Sequence, residues 1–178
     1  MVLANLDKKN RLVTMFLDHV VMCIILCVVE APAIMVHIVR LQHSRPPFEL
    51  FDFGVYDVFA FSLYFCKDVF SGRSVAKRIL GFQVVNHATG LPAGPVRCLV
   101  RNFTLLLWPV EVIVSMVNVN RRMGDHLAGT RLVVYDPKPA AQNEQTDWKG
   151  VLVCIPLAMA FTYVIWFLPV DLLVHLLR

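Results

Sequence analysis

Residues 12–36 of the chain are LVTMFLDHVVMCIILCVVEAPAIMV, and this stretch decides the fold. At about 1.5 Å rise per residue, twenty-odd apolar residues cross the ~30 Å hydrocarbon core of a bilayer. Lys8, Lys9 and Arg11 precede the run, and the excess of basic residues on the inner side places the N-terminus in the cytoplasm. Pro32 is expected to kink the far end. The leading segment MVLANLDKKNR is polar and no small-residue cleavage site follows, so the run is expected to be an uncleaved helix.

The rest of the chain agrees. It is 57% hydrophobic with only 17% charged residues, where a soluble domain carries about a quarter charged. Its apolar residues are clumped, which marks segments facing lipid. The basic residues behind the net charge of +4 flank these runs, so positive-inside topology explains them and nucleic-acid binding is excluded. Cysteines 23, 27, 66, 98 and 154 form no C-x-x-C pair, so disulfide or zinc staples are not expected.

A second span is expected at 48–66, returning to the cytoplasm, after which Lys67, Arg73, Lys77 and Arg78 mark the inner side. SVAKRIL has the pattern of a short interfacial helix ended by Gly81. FQVVN is a short strand with a Thr-Gly turn behind it, positioned to pair with TRLVVYD at 130–136. Residues 102–118 form a third apolar run with Pro109 and Glu111 inside it. Basic loops flank it on both sides. A bent, re-entrant or interfacial hairpin keeps both loops cytoplasmic, and is preferred to a fourth crossing. A polar linker at 137–149 leads to a last span at about 150–170. The expected architecture is all-α in the membrane: three transmembrane helices, a Pro-broken hairpin or fourth span, and a two-stranded β ribbon on the cytoplasmic side. Its units are 1–136, the linker, and a C-terminal helix in 150–178.

Several ordered motifs resemble the RDD family of small bacterial membrane proteins. They are Arg11 and Asp18 in RLVTMFLDHVV, then KDVFSGRSVAKRILGFQVV, TGLP, Arg101-Asn102, and RRMGDHLAGTRLVV. Ala76 stands where that family commonly has glycine. The resemblance covers about residues 8–136 and leaves the last helix outside. It marks Lys67, Asp68, Gly72, Arg73, Lys77, Arg78, Arg101, Arg121, Arg122, Gly124, Asp125, Gly129 and Thr130 as the cytoplasmic motif. The second aspartate of the family signature corresponds to Asp125, or else to Asp68. The resemblance implies residence in a bacterial cytoplasmic membrane and transport of a small solute, with cation–proton exchange for some members.

Arg11 and Asp18 are two helical turns apart on one face, which places Arg11 at the headgroups and Asp18 in the apolar region. A carboxylate there needs a partner, a cavity or a proton. The functional reading lets Asp18 share a proton or a cation with Asp57 at comparable depth, with Glu111 beside the Pro109 break as a further member. The structural reading ties Asp18 to an arginine of the cytoplasmic layer, such as Arg101 or Arg122. Asp125 is expected to cap or pair with Arg121, Arg122 or Arg73, the two former lying at the headgroups. His19 is expected to be packed and neutral.

Phosphate-binding, catalytic-triad and metal-binding patterns are missing from the sequence, so no enzyme, metal or cofactor is expected. Two functions compete. One is a transporter using Asp18, Asp57 and Glu111, which at this size calls for an oligomer. The other is a membrane scaffold or accessory subunit whose basic face organises anionic headgroups or another membrane protein.

Overall fold

A computed structural model describes residues 7–43, 54–136 and 147–169. Helix α1 runs over Lys8–His43 without interruption at Pro32. Asp7 starts it, its Oδ1 accepting from the Asn10 amide at 2.7 Å. Its 36 residues give it a length of about 54 Å, more than one bilayer core.

Helix α2 (Val55–Phe65) lies antiparallel to α1. Its register is set at two levels, where the Tyr56 hydroxyl donates to the Val29 carbonyl and Tyr64 Oη meets His19 Nδ1 at 2.6 Å. The span expected at 48–66 is described only from residue 54 onward. After α2 the chain turns tightly, with φ of 55° at Ser71 and 67° at Gly72. Gly72 fits because a Cβ there would lie 2.4 Å from the Val84 carbonyl oxygen.

Helix α3 (Val75–Leu80) is capped by Ser74 Oγ, which accepts from the Lys77 amide, and is stopped by left-handed Gly81. Strand β1 (Phe82–Asn86) and strand β2 (Thr130–Val134) form the antiparallel ribbon, Phe82 opposite Val134 and Asn86 opposite Thr130. The pairing expected from FQVVN and TRLVV is present. Phe82, Val84 and Leu132 turn into a core with Leu80, Ala93 and Cys98.

Helix α4 (Pro95–Phe103) continues through a 3₁₀ turn at Thr104–Leu107 into α5 (Trp108–Val117). Pro109 sits in the first turn of α5, where its missing amide costs no helical hydrogen bond. The break therefore precedes the proline, at Leu107 (φ −98°, ψ 41°), rather than at the middle of a helix. The segment then comes back. Thr104 and Gly124, at its two ends, meet through one Glu111 oxygen, and the Asn120 carbonyl accepts from Leu132 in β2. Helix α6 (Met123–Ala128) closes this excursion.

Helix α7 (Trp148–Thr162), capped by Asp147, is followed by a π-helical turn at Tyr163–Phe167. Its Val151, Cys154 and Ala158 share a core with Phe65, Val69 and Leu99. Phe103 and Phe161 stack at 3.8 Å between centroids. The linker expected at 137–149 falls mostly outside the described residues.

Among the described residues, three helical stretches qualify by length and composition to cross a membrane: Lys8–Val39, Pro95–Val117 and Trp148–Trp166, with Val55–Phe65 a shorter apolar helix. Burial is inverted relative to a soluble protein. Arg11 and Arg101 are among the largest fully buried side chains, while Phe16, Ile24, Val28, Leu152 and Trp166 lie outside. Apolar surface on this scale is stable only against hydrocarbon or a partner.

Candidate functional site

The first half of α1, the turn after α2, and helices α3, α4 and α6 enclose a layer of charge. Apart from the neighbouring His19, the turn of α1 bearing Asp18 is apolar, so the carboxylate cannot hydrate and must be met from other elements. Ser74 Oγ donates to Asp18 Oδ1. Lys77 Nζ lies 2.6 Å and Lys67 Nζ 3.2 Å from Asp18 Oδ2. The partners of Asp18 are thus lysines, not the arginines anticipated. Lysine fits here because an ammonium is a compact donor able to serve several acceptors at once. Lys77 does so, reaching Asp68 at 2.7 Å as well. Lys67 and Lys77, expected as surface markers of the inner side, are instead buried, each side chain 3% exposed.

From Asp68 the layer continues to Arg101 Nη1 at 2.8 Å, and Arg101 Nε reaches Asp125 Oδ1 at 2.5 Å. Asp125 collects the rest. Arg11 Nη2 lies 3.1 Å from its other oxygen, which also accepts the Arg122 amide at 3.0 Å, while Thr130 Oγ1 donates to Oδ1 at 2.8 Å. Arg11 therefore sits in the interior at 1% exposure, not at the headgroups. Asp125 does not pair with Arg73, whose guanidinium stacks over Tyr135 at 3.7 Å.

Arg122 is likewise internal. Its Nη2 donates to Asn102 Oδ1 at 2.8 Å and its Nε faces Glu111 Oε2 at 3.3 Å. Arg121 spends its guanidinium on the carbonyls of Thr130 and Asp125. Arg78 of the motif keeps an exposed position, as does Arg97 of α4, which donates to the Ala128 carbonyl at 2.9 Å. Gly124 is required for space, since a Cβ would lie 2.1 Å from the Arg101 carbonyl oxygen and 2.4 Å from Thr104 Oγ1. Gly129 ends α6 at φ 64° and delivers Thr130 to the ribbon.

Asp57 is elsewhere. It lies in the first turn of α2, its Oδ2 accepting the Gly54 amide at 2.7 Å, and it faces Glu30 of α1. The structure does not bring Asp57 to Asp18, because α1 and α2 run antiparallel and Tyr64, two turns further along α2, is the residue level with His19. Glu30 carried no signal beyond an acid inside an apolar run, the same signal that singled out Asp18. His19 is not packed in a core; it is exposed beside Tyr64 and Trp108.

The electrostatics follow from burial against many partners. Burial pushes the Lys67 ammonium down to about 8, opposed by Asp18 and Asp68 and aided by the charges of Lys77 and Arg122. For Asp125 burial would raise the carboxyl, but Arg101, Arg122 and Arg11 together hold it below the ordinary carboxylate range. Asp68 is held low in the same way by Lys77 and Arg101. Among the described residues, seven ion pairs join Arg11, Lys67, Lys77, Arg101 and Arg122 to Asp18, Asp68, Glu111 and Asp125. Within this set one positive charge is left in excess.

Compared with known protein families, the chain matches the RDD family over residues 8–171. The match takes in α7, so the last helix is not the departure that the motifs alone implied. No curated protein and no solved structure matches the chain.

Proposed function

The chain belongs to the RDD family and is an integral membrane protein, and we propose that it exchanges a small cation for protons through its buried charge layer. The observation that carries this reading is Lys67, an ammonium almost wholly buried against Asp18 and set to release its proton at about 8. With five bases against four acids, loss of the Lys67 proton makes the layer neutral and able to accept another cation.

In this reading α1, the second apolar segment, of which α2 is part, and α7 cross the bilayer, while the 3₁₀ turn and α5 form a re-entrant excursion. Its support is that Thr104 and Gly124 come together at Glu111, so the segment returns to the layer it left. The charge layer then lies at the cytoplasmic side, reached by the N-terminal ends of α1 and α7 and the C-terminal end of α2. The bacterial cytoplasmic membrane, with the N-terminus inside, is part of the same proposal.

A scaffold or accessory subunit is the second reading, favoured by the way the ion pairs tie six separate segments together. The two separate in inside-out vesicles given a pulse of sodium or lithium. Exchange predicts a cation-driven pH change in wild type that Lys67→Arg, charged but unable to titrate, abolishes at equal abundance. A silent wild type at good abundance gives the decision to the scaffold.

A further inference from the structure

Glu111 is fully buried in the first turn of α5 and its two oxygens are unlike. Oε1 is satisfied twice, by the Thr104 hydroxyl and by the Gly124 amide at 2.9 Å. Among the described residues Oε2 accepts no hydrogen bond; it faces Arg122 Nε at 3.3 Å, and that Nε–H also makes none. Ser115 follows one turn later on the same face of α5. It is 1% exposed and its hydroxyl finds no partner among the described residues, not even the carbonyl four residues back that helical serines commonly take. A buried hydroxyl and a buried carboxylate oxygen left over on one helix face are costly, and native proteins keep such groups for a reason.

We propose that Glu111 Oε2 and Ser115 Oγ form the seat of a small monovalent cation of the lithium or sodium class, with Arg122 as the built-in competitor for the same carboxylate. Hard oxygen donors suit an alkali cation. A single carboxylate matches a single charge, where divalent sites gather more. The seat also lies just past the 3₁₀-to-α break at Leu107, and interrupted helices recur at ion sites in transporters because they free backbone carbonyls.

The seat deepens the exchange reading and rests on it only for its coupling. A cation added to a layer already one charge positive must be balanced by a proton leaving. Lys67 is the group placed to give it, facing Asp18 from α1, Lys77 from α3, Asp68 on its own turn, Tyr64 from α2 and Arg122 ahead of α6. Arg122 touches both ends of this coupling, acting on Lys67 through its charge and on Glu111 through contact.

The test uses the full chain in detergent at pH about 8, titrated with sodium, lithium or choline chloride at constant ionic strength. Thermal midpoint and proton release into weak buffer are followed together. Sodium or lithium should raise the midpoint saturably and release about one proton per chain, while choline does neither. Ser115→Ala should weaken the cation response roughly tenfold or more, the scale of losing one good ligand, and Ser115→Thr should keep it. Glu111→Gln should abolish it, but that variant also disturbs the Gly124 contact, so Ser115 carries the decision. An equal response to choline, or a sodium response unchanged in Ser115→Ala, overturns the seat and shows that water alone satisfies these oxygens. A saturable response lost in Ser115→Ala without vesicle exchange keeps the seat and sinks the exchange. Exchange whose cation affinity survives Ser115→Ala does the reverse.

Discussion

Arg11, in the first turns of α1, donates to Asp125 of α6 at 3.1 Å across 114 positions of sequence, and both side chains are closed off from solvent. The pair joins the entry of the first long helix to the helix just before β2. Asp125 meets Arg101 and the Arg122 amide at the same time, so its removal strands several donors at once.

Asp125→Asn should therefore be among the most destabilising single changes. Breaking a buried ion pair by removing one partner costs about 3–5 kcal/mol. Unfolding of the detergent-solubilised protein checks this, and a loss under about 1 kcal/mol would mean that the layer is hydrated. Because its folded carboxyl is held low, the Asp125 contribution is present above the ordinary carboxylate pKa of about 4 and fades as pH falls below it.

Lys67 gives a pH dependence of the same sign in a higher window. Its folded value of about 8 lies below the ordinary lysine value of about 10.4. Between the two the unfolded chain holds a proton that the folded chain has lost, so stability rises with pH across that window and is lowest below it. The difference between wild type and Lys67→Met in thermal midpoint should climb from pH 8 to 10. A flat difference contradicts the burial of this ammonium.

Gly124 and Gly90 separate space from conformation. Gly124→Ala drives a methyl group into the Arg101 carbonyl and should cost about 1–3 kcal/mol or more. Gly90→Ala meets nothing within 4 Å but must hold φ near 72°, a strain of roughly 1 kcal/mol. A Gly124→Ala loss under about 1 kcal/mol would contradict the close approach of α6 to the end of α4.

Topology is open to cysteine labelling in a chain stripped of its native cysteines. Probes at Asn118 and Gln142 should react from the same side as the N-terminus, and together. Labelling of Gln142 from the opposite side would make Pro95–Val117 a crossing instead of an excursion.

The apolar runs, the ribbon strands and the helix stop at Gly81 follow from local chemistry, and the sequence determined them unaided. It takes about twenty apolar residues to cross a bilayer, alternation to pair two strands, and a glycine to adopt a left-handed cap. It also identified the residues of the charge layer as residues that matter. Their partners were beyond its reach. An ion pair depends on where helices cross, and nothing in RLVTMFLDHVV distinguishes a lysine 59 positions away from an arginine further on. Depth was equally out of reach, since a count from the helix end put Asp57 beside Asp18, whereas the antiparallel register of α1 and α2 put it beside Glu30. Only the tertiary structure turned the basic motif inward, because in a membrane protein the polar interior is the one place where these charges find each other.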